Sequence, residues 1–280
     1  MPEKPLQGRV ALVTGANSPL GIGGATATAL SRAGARVFVH YWRFQDRLAG
    51  PARYIDASKS SPDEVLARIR EYGGTAEAWE VDLADPANVV ELMDRVESTL
   101  GPLDILVNNA RHWEPDTFLL GDREAEARPS RLWPPPSANL CAESHDRHFS
   151  VNSRAVALLL GEYARRYLAR GASWGRVVGL TTGGSAGFPR EVSYGASKAA
   201  LESYTRAFAR ELGPYGVTAN CVEPGACQTG WIEPELEAAV AEQSPLRRVS
   251  RPEEVADLIV FLCSDRAGLL TGQCLRALGG

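Results

Sequence analysis

The sequence predicts an α/β protein: a doubly wound parallel sheet of about seven strands with helices on both faces. Three observations carry that expectation. Short β-rich runs alternate with helical segments from residue 9 to residue 277, the pattern of repeated strand-helix-strand units with right-handed crossovers. The first turn between strand and helix is rich in glycine. Helix openings carry cap, proline and acidic residues in their preferred places, as in Ser61-Pro62-Asp63-Glu64 and Arg251-Pro252-Glu253-Glu254.

The elements follow in order. Residues 9–13 form a strand that leads into Thr14-Gly15, and residues 21–33 an Ala-rich helix that stops at Gly34. Residues 36–41 are the second strand, after which residues 42–60 show no periodicity. A helix opens at Ser61, a third strand spans 75–81, and Asp85-Pro86 starts a helix to about Leu100. The fourth strand is 104–107, followed after a long connection by a helix over 143–169 and a fifth strand at 176–180. A helix over 194–212, a sixth strand at 217–222, a helix to Cys263 and a last strand at 273–277 complete the chain. No break in this alternation divides it, so residues 1–280 are expected to form one domain.

In such sheets ligands bind outside the carboxyl ends of the strands. The first of these ends reads Thr14-Gly15-Ala16-Asn17-Ser18-Pro19-Leu20-Gly21-Ile22-Gly23. Glycines let the backbone approach a pyrophosphate, and the helix that follows offers free N–H groups and the positive end of its dipole. Gly15, Asn17, Ser18, Gly21, Ile22 and Gly23 are therefore candidate dinucleotide contacts. An acid about 20 residues further on would hold the ribose of NAD, but the second strand ends in His40-Tyr41-Trp42-Arg43. Arg43 would meet a 2′-phosphate, which favours NADP(H) over NAD(H); Asp46 is the nearby acid that would reverse the preference.

Tyr194-Gly195-Ala196-Ser197-Lys198 puts a phenol and an ammonium one helical turn apart on one face. A free tyrosine titrates near pH 10, too high for efficient acid/base work near neutrality, and a neighbouring cation would lower it. The same pair occurs on solvated helices, so its meaning depends on what surrounds it.

With the glycine turn, Asp82-Leu83 after the third strand, Asn108-Asn109-Ala110 after the fourth, the Tyr194–Lys198 pair, and Pro224-Gly225 followed by Thr229, the sequence resembles the short-chain dehydrogenase/reductase family over nearly its whole length. The resemblance implies a Rossmann-type fold, a nicotinamide cofactor, and a likeness to 3-oxoacyl-thioester reductases. It places Asp82 and Leu83 at the adenine, Asn108 and Ala110 at the adjoining ribose, and Pro224, Gly225 and Thr229 at the nicotinamide amide. Tyr194 would give a proton to a carbonyl oxygen. Lys198 would bind the nicotinamide ribose and depress the Tyr194 pKa, and Asn152 would anchor a proton-relaying water. Thr182 would stand for the family's substrate-binding serine, with Thr181 and Ser185 as alternatives. Helices 143–169 and 194–212 would form a homodimer or homotetramer interface.

The departures are specific. The glycine turn is two residues longer than usual, as in divergent enoyl-thioester reductases, but the Tyr-x3-Lys spacing is that of carbonyl reductases. Arg111 replaces a common glycine. A Pro-rich insertion around 111–142 carries Trp113, Phe118, Leu120, Trp133 and Pro134-Pro135-Pro136 and would form an apolar rim or an oligomer contact. His145 and His148 are read as solvated surface, no metal site is expected, and Cys227 is read as a packing residue.

Composition narrows the rest. A net charge of −4 gives no basic footprint for nucleic acid or anionic membrane. Five cysteines without a C-x-x-C pair fit a reducing cytoplasm. The expected partner is a small carbonyl or alcohol substrate. An enoyl reductase and a non-catalytic nucleotide-sensing scaffold are the competing readings, and the presence of Asn152, Tyr194 and Lys198 argues against the scaffold.

Overall fold

The computed structural model describes residues 4–43, 51–119 and 138–279. Seven parallel strands form the central sheet in the order β3-β2-β1-β4-β7-β8-β9: β1 (Val10–Thr14), β2 (Arg36–Tyr41), β3 (Ala76–Glu80), β4 (Ile105–Asn108), β7 (Gly175–Leu180), β8 (Val217–Glu223) and β9 (Cys274–Arg276). A separate parallel pair, β5 (Asp116–Thr117) and β6 (Ala138–Asn139), lies in the insertion. The strand order reverses between β1 and β4, so their carboxyl ends splay apart and leave a crevice there.

Every residue of β1, β4, β7 and β8 is buried. Strands covered on both faces read as continuous apolar runs, which is why they are legible without alternation. One face packs on α1 (Ile22–Arg32), α3 (Asp63–Glu71) and α9 (Pro252–Cys263) through Leu30, Ile69, Ile259 and Leu262. The other packs on α4 (Pro86–Leu100), α6 (Val156–Ala169) and α7 (Val192–Leu212) through Leu92, Leu159, Tyr163 and Phe208. Asp85 caps α4 by accepting the Ala87 N–H.

Three features differ from the sequence expectation. Residues 52–59 form a helix, α2 (Ala52–Lys59), none of whose side chains is buried, so it left no apolar stripe to read. The helix expected over 143–169 is α5 (Ala142–Phe149) and α6 joined by a π-helical stretch, Ser150–Ala155. The last short helix, α8 (Pro234–Gln243), follows β8 within the loop that borders the crevice. The insertion's residues 120–137, including Leu120, Trp133 and the triple proline, lie outside the described residues, as does Asp46.

Candidate active site

A cavity of about 530 Å³ opens at the carboxyl ends of β1, β4, β7 and β8. Thr14, the last residue of β1, ties this edge together: its hydroxyl accepts the N–H groups of Asn109 and Ala110 at 3.0 Å and donates to the Val107 carbonyl at 3.3 Å. The Asn109 amide donates back to the carbonyls of Thr14 and Gly15 at 2.9 and 2.8 Å. Gly15 has φ +66°, and a Cβ there would strike the Ala110 backbone. His40 lies beneath the turn, accepting the Gly15 N–H at Nδ1 and donating from Nε2 to the Val81 carbonyl, with burial lowering its pKa to about 4. The Asn17 amide donates to the carbonyls of Ser58 and Ser60, pinning the turn to the end of α2.

These residues fit a dinucleotide. No side chain caps α1, so the N–H groups of its first turn are left for a ligand. A Cβ on Gly23 would lie 2.5 Å from the Gly15 carbonyl, so the backbone is already packed as closely as it can be. Gly15, Asn17, Ser18, Gly21, Ile22, Gly23, Ala110, Pro224, Gly225 and Thr229 all line the cavity. Other candidates do not. Asn108 is 1% exposed beneath the lining, and its amide has no hydrogen-bond partner among the described residues; its neighbour Asn109 takes the lining position. The Asp82 carboxylate accepts the Ala84 N–H, and Leu83 is buried in the core. Arg43 donates from Nε and Nη2 to the Glu80 carboxylate, a pairing of β2 with β3 that raises the guanidinium pKa and lowers that of the acid.

Tyr194 and Lys198 sit one turn apart on α7, and both line the cavity. The Lys198 ammonium donates to the Leu180 carbonyl at 2.8 Å. Burial lowers the Lys198 pKa to about 7, and the nearby Arg111 guanidinium pushes the same way. Burial raises Tyr194 to about 12; Arg111 opposes that rise, while Glu191 and Tyr54 add to it. The expected depression of Tyr194 by Lys198 is thus not the state of this cavity: burial dominates, and the cation acting on the phenol is Arg111.

Thr181 and Thr182 both line the cavity, but the Thr181 hydroxyl donates to the Glu202 carboxylate at 2.9 Å. The side chain of Ser185 lies outside the described residues. Asn152 is fully buried in the π-helical stretch and lies behind the lining. Its amide accepts the His112 N–H and donates to the His112 carbonyl and to Ser197 Oγ, so no amide donor remains for a water.

The far wall is aromatic. Trp113 packs edge-on to Trp231 at 4.4 Å, Trp231 to Tyr54 at 5.0 Å, and Phe188, Ile232 and Val240 extend the surface. The Trp113 indole N–H donates to the Glu191 carboxylate at 2.8 Å. The described part of the insertion therefore supplies cavity wall in Arg111 and Trp113, while Phe118 is 73% exposed. Asp116 anchors that part, its carboxylate accepting from Ser144 Oγ and the Ser193 N–H at the start of α7. Trp113 takes the rim position expected of the insertion, Arg111 was marked only by its Arg-for-Gly exchange, and Glu191 was not among the residues expected at the site.

The expectation of a solvated His148 fails. It is 0% exposed, with Nδ1 on the Ser144 carbonyl and Nε2 accepting the Glu114 N–H. It groups with His112 and Glu114 at metal-like spacing, but with both ring nitrogens engaged and Glu114 held by Arg147 it supplies no open ligand. Cys227 is a packing residue, its thiol pushed up to about 11 by burial.

A family model described as Enoyl-(Acyl carrier protein) reductase matches residues 15–280. A short-chain type dehydrogenase/reductase of Picea abies is 36% identical over 98% of this chain and 93% of its own length. The chain belongs to the short-chain dehydrogenase/reductase family. A second family member, the cyclohexanol dehydrogenase of a Rhodococcus species, is 34% identical over 99% of this chain and 97% of its own. The structure of a short-chain dehydrogenase from Burkholderia cenocepacia in complex with NADP superposes with a TM-score of 0.78, at 30% identity and 99% and 98% coverage. These relatives and the cradle together make the chain an NAD(P)-dependent oxidoreductase acting on CH–OH or C=O groups. Among the described residues no helix is long and apolar enough to cross a membrane.

Proposed function

We propose that this chain is a ketoreductase that uses NADP(H) in preference to NAD(H) and interconverts a medium-sized ketone, a 3-oxo thioester among the candidates, with its secondary alcohol. The observation that carries the reading is the Tyr194–Lys198 pair facing the same cavity as the glycine cradle. Bound there, a nicotinamide supplies or accepts hydride at the substrate carbon. The chain's own residues handle the proton. Tyr194 keeps its phenol proton throughout the neutral range and is poised to donate it to a carbonyl oxygen. Thr182 offers a second donor to that oxygen, and the aromatic wall gives the substrate an apolar surface on the far side of the cavity.

Tyr194→Phe removes the proton donor without touching the cradle. Turnover of a 3-oxo thioester should fall roughly 10²- to 10⁴-fold, while NADPH affinity measured by tryptophan quenching stays within about twofold. Retained turnover would refute the assignment of Tyr194. The family model's own description keeps an enoyl reductase in view, and the Tyr-x3-Lys spacing favours C=O; product analysis with 3-oxo and 2-enoyl thioesters separates the two.

The NADP(H) preference rests on the missing acid at the end of β2, on Arg43, and on the NADP-bound relative. The Glu80 carboxylate that holds Arg43 favours a second reading, in which that acid takes the adenosine ribose hydroxyls of NAD. A homo-oligomer is proposed through α6 and α7, where Leu158, Leu168 and Tyr204 are exposed; light scattering giving a monomer would remove it.

A further inference from the structure

We infer that Arg111, with Tyr54, is an anion anchor in the substrate chamber, and that the substrate carries a carboxylate in addition to the carbonyl or alcohol that reacts. This rests on the ketoreductase reading and names a substrate class for it. Arg111 lines the cavity immediately after Asn109-Ala110, beside Trp113, Trp231 and Phe188, with the Glu191 carboxylate in the same lining turned to the Trp113 indole N–H. A guanidinium carries five N–H donors in a rigid fork. Among the described residues one of its nitrogens, Nη2, donates to Tyr54 Oη at 2.5 Å, the guanidinium carbon stands 5.3 Å from the Tyr54 ring centre, and no carboxylate forms an ion pair with it.

Arg111 is half-buried, and its N–H groups other than the one on Tyr54 have no protein partner among the described residues, so they remain available to a ligand in the cavity. The fork geometry selects a planar anion that takes two parallel N–H bonds, and a carboxylate is the organic group that does so. Tyr54 strengthens the selection. Its oxygen accepts from Arg111, so its own proton is directed elsewhere and can reach a second oxygen of the same anion. The pair also lies on the substrate side. Tyr54 is edge-on to Trp231 and Trp231 to Trp113, while the field of Arg111 acts on Tyr194 and Lys198.

Binding tests this without requiring turnover. Trp113 and Trp231 report on the chamber, so the NADPH-loaded protein can be titrated by tryptophan fluorescence with cyclohexanecarboxylate and with the neutral cyclohexanecarboxamide. The carboxylate should bind roughly 10- to 100-fold more tightly than the amide, the worth of a charge-assisted pair. Arg111→Met should abolish that preference, Arg111→Lys should restore part of it, and Arg111→Met should shift NADPH affinity less than about threefold. Equal binding of acid and amide to the unaltered protein would overturn the anchor. So would a large loss of NADPH affinity in Arg111→Met, which would assign the guanidinium to the cofactor's diphosphate. Failure of the ketoreductase reading shows separately, as absent reduction of any ketone by a protein that still prefers the carboxylate.

Discussion

His40 shows how one buried side chain sets conditions for the cofactor turn. Its ring joins the Gly15 N–H to the Val81 carbonyl, and burial holds it neutral with a pKa lowered to about 4. The unfolded chain takes up a proton near pH 6.5 while the folded one resists until about 4, so the stability His40 contributes is present above pH 6.5 and lost as the pH falls toward 4. The loss is on the order of 3 kcal/mol at most. Melts at pH 7.5 and pH 4.5 should show a fall in Tm that His40→Gln reduces, since glutamine does not titrate; an unchanged pH dependence in the variant would assign the fall elsewhere. Gly23 makes a second residue-scale case. An added methyl would lie 2.5 Å from both the Gly15 carbonyl and Asn109 Nδ2, which cannot both retreat without opening the turn. Gly23→Ala should cost about 1 to 3 kcal/mol of stability and weaken NADPH binding at least about tenfold; unaltered affinity would show that the turn tolerates the displacement.

At the scale of elements, the π-helical stretch Ser150–Ala155 places Asn152 where its amide clamps both backbone groups of His112 and reaches Ser197 on α7. It therefore couples three elements: the start of the insertion, the α5–α6 helix and α7. Asn152→Ala would remove both amide bonds to the His112 backbone, at about 1 to 3 kcal/mol each. Urea melts should register that loss, and because His112 lies between Arg111 and Trp113 the variant should also raise KM for substrate; a stable variant with unaltered KM would show that water takes over the clamp. Sequence pattern exposed the main elements unevenly. Strands such as β1 and β4 were legible because continuous apolar runs have few other uses, and the glycine turn because its spacing has a stereochemical reason. The π-helical stretch was not, since a shift from i→i+4 to i→i+5 bonding leaves the composition unchanged. α2 escaped because it buries nothing, and His148 was misassigned because its neighbours Asp146 and Arg147 made the segment look polar while its own side chain points inward. Arg43 was identified as a cation but its partner was not: Glu80 lies 37 residues away, and only the β2–β3 register brings them together. The same holds for Tyr194, whose pKa is set by burial that its helix spacing does not encode.

For the whole molecule, the cavity draws on β1, β4, β7 and β8 from the sheet, on α1 and α2 from one face and on α7 from the other, so a bound cofactor bridges both core layers. A ligand that binds only the folded chain stabilises it by an amount set by its concentration relative to Kd, about 2.7 kcal/mol at a hundredfold excess. For a chain of this size that corresponds to a rise in Tm of about 5 to 10 °C. NADPH should give a shift of this order and NADH, at the same concentration, a smaller one. Arg43→Ala should bring the two closer by reducing the NADPH shift. Glu80→Gln releases the guanidinium from its carboxylate and should enlarge the NADPH shift if Arg43 meets the 2′-phosphate. If Glu80 instead serves the ribose of NAD, the same variant diminishes the NADH shift and the wild-type order is reversed. Equal shifts in all three proteins would remove both residues from cofactor selection, and a shift with neither nucleotide would remove the cradle itself from the cofactor assignment.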